Sequence, residues 1–316
     1  MGDYTREGTM IPRRWKMLEI ARRLSTHQLT RMNDQLSDLE GLNNLLHQAP
    51  DERGSLFFLG YYSREGLEYA LERYGIFEEL RKRGFDHFLL DVDTTDPYRH
   101  RLALYYKQKD EDHLLAEVVL RRRVISMYPP FPSPIYGRQY EVLQVEWLVL
   151  QNPTRTFTPK RPRLPGQVYP GLGMGEMVVT LLMIVCWRLR LAGVLNIPEH
   201  FHNAYMYSTV FYYVNPEDNG RLKAMARDLL PNGKRDLAKA SWAIDLGCVR
   251  ENNQPFQWFT HEQLIPIDKD LKEYFTSSKY RKAENEAKQR FHYQLDDDCW
   301  KQCQKQLPPG VVFNRS

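Results

Sequence analysis

The chain has little cysteine, little net charge and no apolar run long enough to cross a bilayer. Its four cysteines in 316 residues, at 186, 248, 299 and 303, show no paired CxxC metal pattern and nothing near the density of a secreted disulfide scaffold. Reduced thiols in a cytoplasm are the expectation. Cys299 and Cys303 stand one helical turn apart, and without further ligands at matching spacing they read as ordinary thiols, so no metal is expected. Lys and Arg total 44 against 40 Asp and Glu, a balance of +4 that lacks the basic excess of a nucleic-acid-binding chain, and no such partner is expected. The longest apolar run, 177–187, is interrupted by Thr180 and closed by Arg188 and Arg190. That falls well short of the ~20 residues of a membrane span, and no membrane association is expected. The first thirty residues carry charge throughout and lack the apolar centre of a signal peptide.

What the chain does have is a globular composition, 42% hydrophobic and 12% aromatic, with length for one large domain or two ordinary ones. Spaced apolar positions over 13–48, among them Met17, Ile20, Leu24, Leu39, Leu42 and Leu46, suggest two amphipathic helices. The pattern then changes to a strand-like stretch at 55–62, a helix over 65–83 ending at Gly84, and three β-rich runs at 102–106, 114–124 and 140–150. The segment 107–113 reads as a hairpin turn. A long basic loop at 153–170 carries five prolines beside Arg155, Lys160, Arg161 and Arg163. A buried helix over 176–191, a short strand at 194–197, a short helix near 202–209 and a strand at 211–214 follow. Helices are expected over 217–230, 234–246 and 269–291. Antiparallel runs followed by a βαβ-like unit describe an α+β domain with a mixed sheet. The expected division is a helical extension at 1–54, a core at 55–215, and a mainly helical region at 216–316 packed on that core.

Gly171, Gly173 and Gly175 stand directly before the buried helix, so several backbone N–H groups can face one anion while the helix dipole adds its positive end. The same spacing also serves as the tight start of any buried helix. A Rossmann turn is disfavoured because residue 176 is Glu and the preceding strand ends about twenty residues earlier. A P-loop is excluded, since no Lys-Ser or Lys-Thr follows.

The phrase from Val145 to Pro153 (VEWLVLQNP), followed by Pro170-Gly171-Leu172-Gly173-Met174-Gly175, resembles the strand and glycine loop of the GNAT superfamily of acyl-CoA-dependent N-acyltransferases. His202-Asn203-Ala204-Tyr205-Met206-Tyr207 before Phe211-Tyr212-Tyr213-Val214 is similar to that family's next landmark. Pro170 stands where the family carries Arg or Gln, and residues 154–169 are inserted before it. The resemblance, over about 55–215, implies a GNAT-like, mostly antiparallel sheet with a splayed parallel strand pair and helical extensions at both ends. It implies an acyl-CoA donor, acetyl-CoA or another, with its pyrophosphate on 171–175, including Leu172 and Met174, its pantetheine along Leu148, Val149 and Leu150, and Asn203 beside it. The acceptor is then a small-molecule or peptide amine.

Acyl transfer to an amine needs a base for the ammonium proton and an acid for the departing thiolate. Tyr207 matches the family's general-acid tyrosine, with Ser208 as the alternative at a one-residue offset. Glu146 on its strand and His200 in Pro198-Glu199-His200-Phe201-His202 are the candidate bases; each also has a structural reading, as a surface carboxylate or a packed histidine. The other functions weighed are a GNAT-like ligand-binding or interaction module without donor turnover, and a transferase using an acyl-carrier protein or aminoacyl-tRNA. Acyl length, acceptor and oligomeric state are left open.

Overall fold

The strands among the described residues are β1 (Phe88–Asp96), β2 (Arg99–Tyr106), β3 (Leu114–Ser126), β4 (Gln139–Leu150), β5 (Gly193–Asn196), β6 (Tyr212–Tyr213), β7 (Val249–Glu251), β8 (Gln254–Pro255), β9 (Gln263–Pro266) and β10 (Tyr293–Leu295). The computed structural model describes residues 7–31 and 57–311. Seven strands form one sheet in the order β1-β2-β3-β4-β5-β9-β6, mostly antiparallel with a single parallel pair, β4 and β5; β10-β7-β8 form a second, small sheet. The expected mixed α+β architecture with flanking helices is therefore present. The hairpin expected at 107–113 joins β2 to β3, and the Asp110 carboxylate accepts the His113 N–H at 3.0 Å to close it.

The chain divides into two compact units. The first comprises Met1–Arg123, Leu143–Gln151 and Leu172–Arg190. Its helix Arg64–Arg73 starts at Ser63, whose hydroxyl accepts the Gly66 N–H at 2.9 Å. Gly66 is required there for a second reason: a Cβ would lie 1.9 Å from the Leu29 carbonyl oxygen of the helix Thr26–Thr30. Leu29, Leu80, Leu115, Leu143 and Ile184 are fully buried, each contributing about 1.5–3 kcal/mol by leaving water. Among the helices Arg64–Arg73 and Gly175–Leu189 and the strands β2–β4 lies an apolar cavity of about 130 Å³, bordered by Leu104, Val118, Leu148, Leu150, Leu181 and Val185.

The second unit comprises Val124–Val142, Asn152–Gly171 and Leu191–Ser316. Its helices Pro216–Leu229 and Ser278–Arg290 approach so closely at Gly220 that a Cβ would stand 2.4 Å from the Glu284 carbonyl oxygen. At that crossing Glu284, almost wholly buried, accepts from the Asn219 amide and from Lys223 Nζ at 2.7 Å. Phe201, Tyr213, Met225 and Ala243 form the buried centre of one cluster, and Leu195, Leu264, Leu271 and Tyr280 of another.

Several expectations are corrected. The described part of 55–62 is a tight turn rather than a strand: the Phe58 N–H bonds the Tyr62 carbonyl at 2.8 Å, with Leu59 (φ 56°) and Gly60 (φ 68°) at the reversal. The helix expected over 65–83 breaks at Gly75 (φ 79°) into Arg64–Arg73 and Ile76–Arg81. The last long helix is two, because Ser277 is extended and caps Ser278–Arg290 by accepting the Tyr280 N–H at 3.2 Å. Cys248 and Cys299 form a disulfide across a sequence separation of 51, a pairing no local spacing marks. Of the two expected N-terminal helices, Glu7–Arg23 and Thr26–Thr30 are described and 32–48 lies outside the described residues.

Candidate functional site

In the first unit the glycine phrase opens the fifteen-residue helix Gly175–Leu189, whose N-cap Met174 supplies no side-chain hydrogen bond. Arg83, at the end of Ile76–Arg81 and Lys82, shapes the loop: its Nε donates to the Leu172 carbonyl at 3.1 Å and its NH2 to the Gly173 carbonyl at 3.3 Å. A trans peptide directs N–H and C=O oppositely. Fixing those two carbonyls on Arg83 therefore turns the N–H groups of Gly173 and Met174 to the other side, where neither has a backbone partner among the described residues. Gly173 adopts φ 75°, and a Cβ built there meets nothing within 4 Å, so this bend stands in open space. The Leu172 N–H, in contrast, is spent on the Leu150 carbonyl at 3.1 Å. Beside the loop a small cavity of about 40 Å³ is bordered by Arg14, Arg83, Gly173, Met174, Glu176 and Thr180, with Arg83 also ion-paired to Glu79. The uncapped helix start and the two N–H groups without a backbone partner make a positive potential suited to an anion, on the side of the loop away from Arg83.

Leu148 and Leu150 project into the apolar cavity of this unit, and Val149, between them on the strand, takes the opposite face. Glu146 is an ion-pair node: Arg99 Nε lies 2.7 Å from one carboxylate oxygen and Arg121 NH1 3.1 Å from the other. The strand β4 has twelve residues and its parallel neighbour β5 has four.

In the second unit the helix Phe201–Met206 begins at His200 and ends at Tyr207. His200 Nδ1 lies 2.8 Å from Asp245 Oδ1, at the end of the helix Leu237–Asp245. A carboxylate can only accept, so this contact orients the Nδ1–H toward Asp245 and leaves Nε2 at the other edge of the ring. Gly166 (φ 73°) sits against this edge of the ring, since a Cβ there would come within 2.9 Å of Nε2. Trp258 Nε1 donates to the Pro198 carbonyl at 3.0 Å and steadies the turn that carries His200. His202 stacks on His200 with ring centroids 5.4 Å apart and planes 12° apart. It is buried, its Nδ1 has no partner, and burial, seconded by the charge of His200, pushes its imidazole down to about 3. His202 is thus a neutral packing residue.

Tyr207 is half-buried, and burial raises its phenol above the usual range, so it keeps its proton. Asn203 lies in the first turn of the same helix, and Gly171 belongs to this unit too. Arg163 of the basic loop is engaged internally: its Nε donates to the Gln167 carbonyl at 2.7 Å, its NH1 to the Pro309 carbonyl at 3.3 Å, and its own carbonyl accepts the Trp242 indole N–H at 2.8 Å. The structure thus groups the glycine-loop residues with Arg83 and Arg14, and His200 with Asp245. Arg83 and Asp245 escaped the sequence reading, as each lies 45 or more residues from its partner and sits in no motif.

No family model matches the chain, and no curated protein does. Two solved structures are similar in part. One, described as the crystal structure of a bacterial toxin, shares 8% identity over 67% of this chain and 83% of its own, with a TM-score of 0.28. The other, the crystal structure of a KacTA–DNA complex, shares 14% identity over 48% of this chain and 72% of its own, with a TM-score of 0.24. At such scores neither bears on function. The mixed sheet with its one parallel pair is consistent with a GNAT-like architecture.

Proposed function

We propose that this protein is an N-acyltransferase that moves an acyl group from an acyl-CoA to an amine by direct attack in a ternary complex, in a cytoplasmic setting. The observation that carries the reading is the glycine loop: an uncapped helix start, two N–H groups turned outward by Arg83, and open space at Gly173. These would hold the donor's pyrophosphate, with charge-assisted hydrogen bonds shorter and stronger than neutral ones. A four-residue parallel partner beside a twelve-residue strand leaves much of β4's length for pantetheine to pair with. His200, held by Asp245, takes a proton from the acceptor ammonium, and Tyr207, kept protonated by burial, supplies one to the departing thiolate.

One observation favours a second reading, a ligand-binding module without turnover: the Leu172 N–H is bonded to the Leu150 carbonyl, so the loop closes on the strand end along which the donor would lie. Calorimetric titration of the full chain with CoA and acetyl-CoA separates the two. Binding of both, followed by acyl transfer in an amine screen that drops ~10²-fold or more in Tyr207→Phe, supports the transferase. Binding without transfer to any amine leaves the module, and no binding of either nucleotide overturns the donor site.

A further inference from the structure

Outside the regions already described, one cluster gathers chemistry-bearing side chains. Cys248, Cys299 and Cys303 place their three sulfurs within 4.8 Å of one another, the one group of three or more metal-ligating side chains found among the described residues. Cys248 is fully buried and fixed on both sides of its peptide: its N–H donates to the Ala243 carbonyl at 2.7 Å, and its carbonyl accepts the Asp296 N–H at 2.9 Å. Asp296 also caps the helix Asp297–Cys303 by accepting the Cys299 N–H at 3.0 Å, which holds that helix against Cys248. Four residues apart on the helix, Cys299 and Cys303 share a face, and their sulfurs are 4.0 Å apart.

A disulfide accounts for Cys248 and Cys299 but not for Cys303. A thiol kept beside an existing bridge suggests that the cluster has another state. Thiolates around a d10 cation lie about 2.3 Å from it, which sets three coplanar sulfurs ~4.0 Å apart and tetrahedral ones ~3.8 Å apart. The Cys299–Cys303 separation already meets that requirement, and Cys248, bonded to Cys299 and with its sulfur within 4.8 Å of Cys303, would meet it by parting from Cys299 when the S–S bond opens. Cys186, the remaining cysteine, is buried elsewhere, in the first unit, with its thiol pushed up to about 12 by desolvation, and takes no part.

We propose that Cys248, Cys299 and Cys303 form a three-thiolate site for a soft d10 cation of the zinc class, with the fourth position open to water, and that the disulfide is the metal-free oxidised state of the same site. The chemistry balances with a dithiol as reductant. The dithiol gives two electrons and two protons to the Cys248–Cys299 bond and becomes a disulfide; the three thiols then lose three protons as their sulfurs bind the cation. In the reverse direction a low-molecular-weight disulfide takes two electrons from the Cys248 and Cys299 thiolates, its own S–S bond breaks and its two sulfurs take two protons from water to become thiols, the Cys248–Cys299 bond forms, the cation leaves, and Cys303 regains its proton. Soft sulfur donors select such a cation over magnesium or calcium, and deprotonation couples its binding to pH.

The test uses the full chain in two forms, oxidised and phosphine-reduced under anaerobic conditions, titrated with zinc against a chromogenic chelator and, separately, with cobalt(II). The reduced protein is expected to take one equivalent of zinc with proton release and a rise in Tm. Cobalt in the same place should give thiolate-to-metal charge-transfer absorption, and the oxidised protein should show none of these. Cys303→Ser leaves the disulfide pair intact, so the oxidised variant folds; when reduced it should bind zinc at least ~10²-fold more weakly for want of one ligand. Reduced protein that takes no zinc, or Cys303→Ser that binds it as tightly as the parent, overturns the site. The acyl-transfer reading plays no part in either outcome.

Discussion

Among the described residues the helices Gly175–Leu189 and Phe201–Met206 both begin without a side-chain cap, as do Ile76–Arg81 and Leu237–Asp245, and the first two starts solve the same deficit differently. At Gly175–Leu189 the N-cap is Met174, which cannot accept a hydrogen bond well, and the N–H groups of Gly173 and Met174, without backbone partners among the described residues, are turned away from Arg83. At Phe201–Met206 the N-cap is His200, whose ring is committed to Asp245 and stacked on His202, with Gly166 against its free edge. The first is fifteen residues long and accumulates a dipole. The second has six residues and opens on the His200 ring. An uncapped helix start is therefore not one functional signal; its meaning depends on helix length and on which charged groups the fold brings beside it.

The contrast would fail first at Gly173. Gly173→Asp keeps the left-handed bend within reach of the backbone but sets a carboxylate in the proposed anion site, and CoA affinity by calorimetry should fall ~10³-fold or more through like-charge repulsion. Gly173→Asn, which adds bulk without charge, should lose far less. Equal losses would show that shape rather than charge governs this helix start.

At the other start, His200→Gln or Asp245→Asn should lower turnover by ~10²-fold with donor Kd nearly unchanged, the signature of a lost general base. A raised Kd with intact turnover would move His200 to the binding side of the comparison.

A smaller effect separates the two stacked rings. His202 is held near 3 in the folded state, against ~6.5 when unfolded. Above pH ~6.5 both states are neutral and stability is flat. As pH falls from ~6.5 toward about 3 the unfolded chain binds the proton first, and stability is lost at up to about 1.4 kcal/mol per pH unit. Urea denaturation across that range should show the slope, and His202→Asn should flatten it; an unchanged slope would assign the loss to other groups. The smallest effect belongs to Glu146. Its side chain is mostly buried, but it is held by two partly exposed arginines, and Glu146→Gln should cost about 1 kcal/mol or less with turnover unaltered. A large loss of turnover would restore it as the base.

Much of the second unit's interior could be read from periodicity, because buried helical faces repeat their apolar residues: 217–230 and 234–246 were expected and Pro216–Leu229 and Leu237–Asp245 formed. β1, β9 and the small sheet β10-β7-β8 were not legible. Their strands are short or mixed in polarity, and their register is set by partners far along the chain, as when Val194 faces Ile265. The breaks at Gly75 and Ser277 were visible as residues but not as breaks, since a glycine or serine inside a periodic run is tolerated until its conformation is known.

The sequence alone determined the order of the central elements and a helix directly after the glycine phrase, because patterning and turn chemistry act over neighbouring residues; the parallel pair β4 and β5 that flanks the phrase was implied by the resemblance. It also nominated Gly173, His200 and Tyr207. Only tertiary structure decided that Arg83 would turn the loop's N–H groups outward, that Asp245 would hold His200, that both oxygens of Glu146 would be taken by arginines, and that Cys248 would meet Cys299 and Cys303. Arg83 and Asp245 reach their partners, and Cys248 reaches Cys299, across 45 to 90 residues of chain. No local pattern carries such information: a hydrogen bond or a sulfur contact depends on where packing places two side chains, and packing is a property of the whole folded unit.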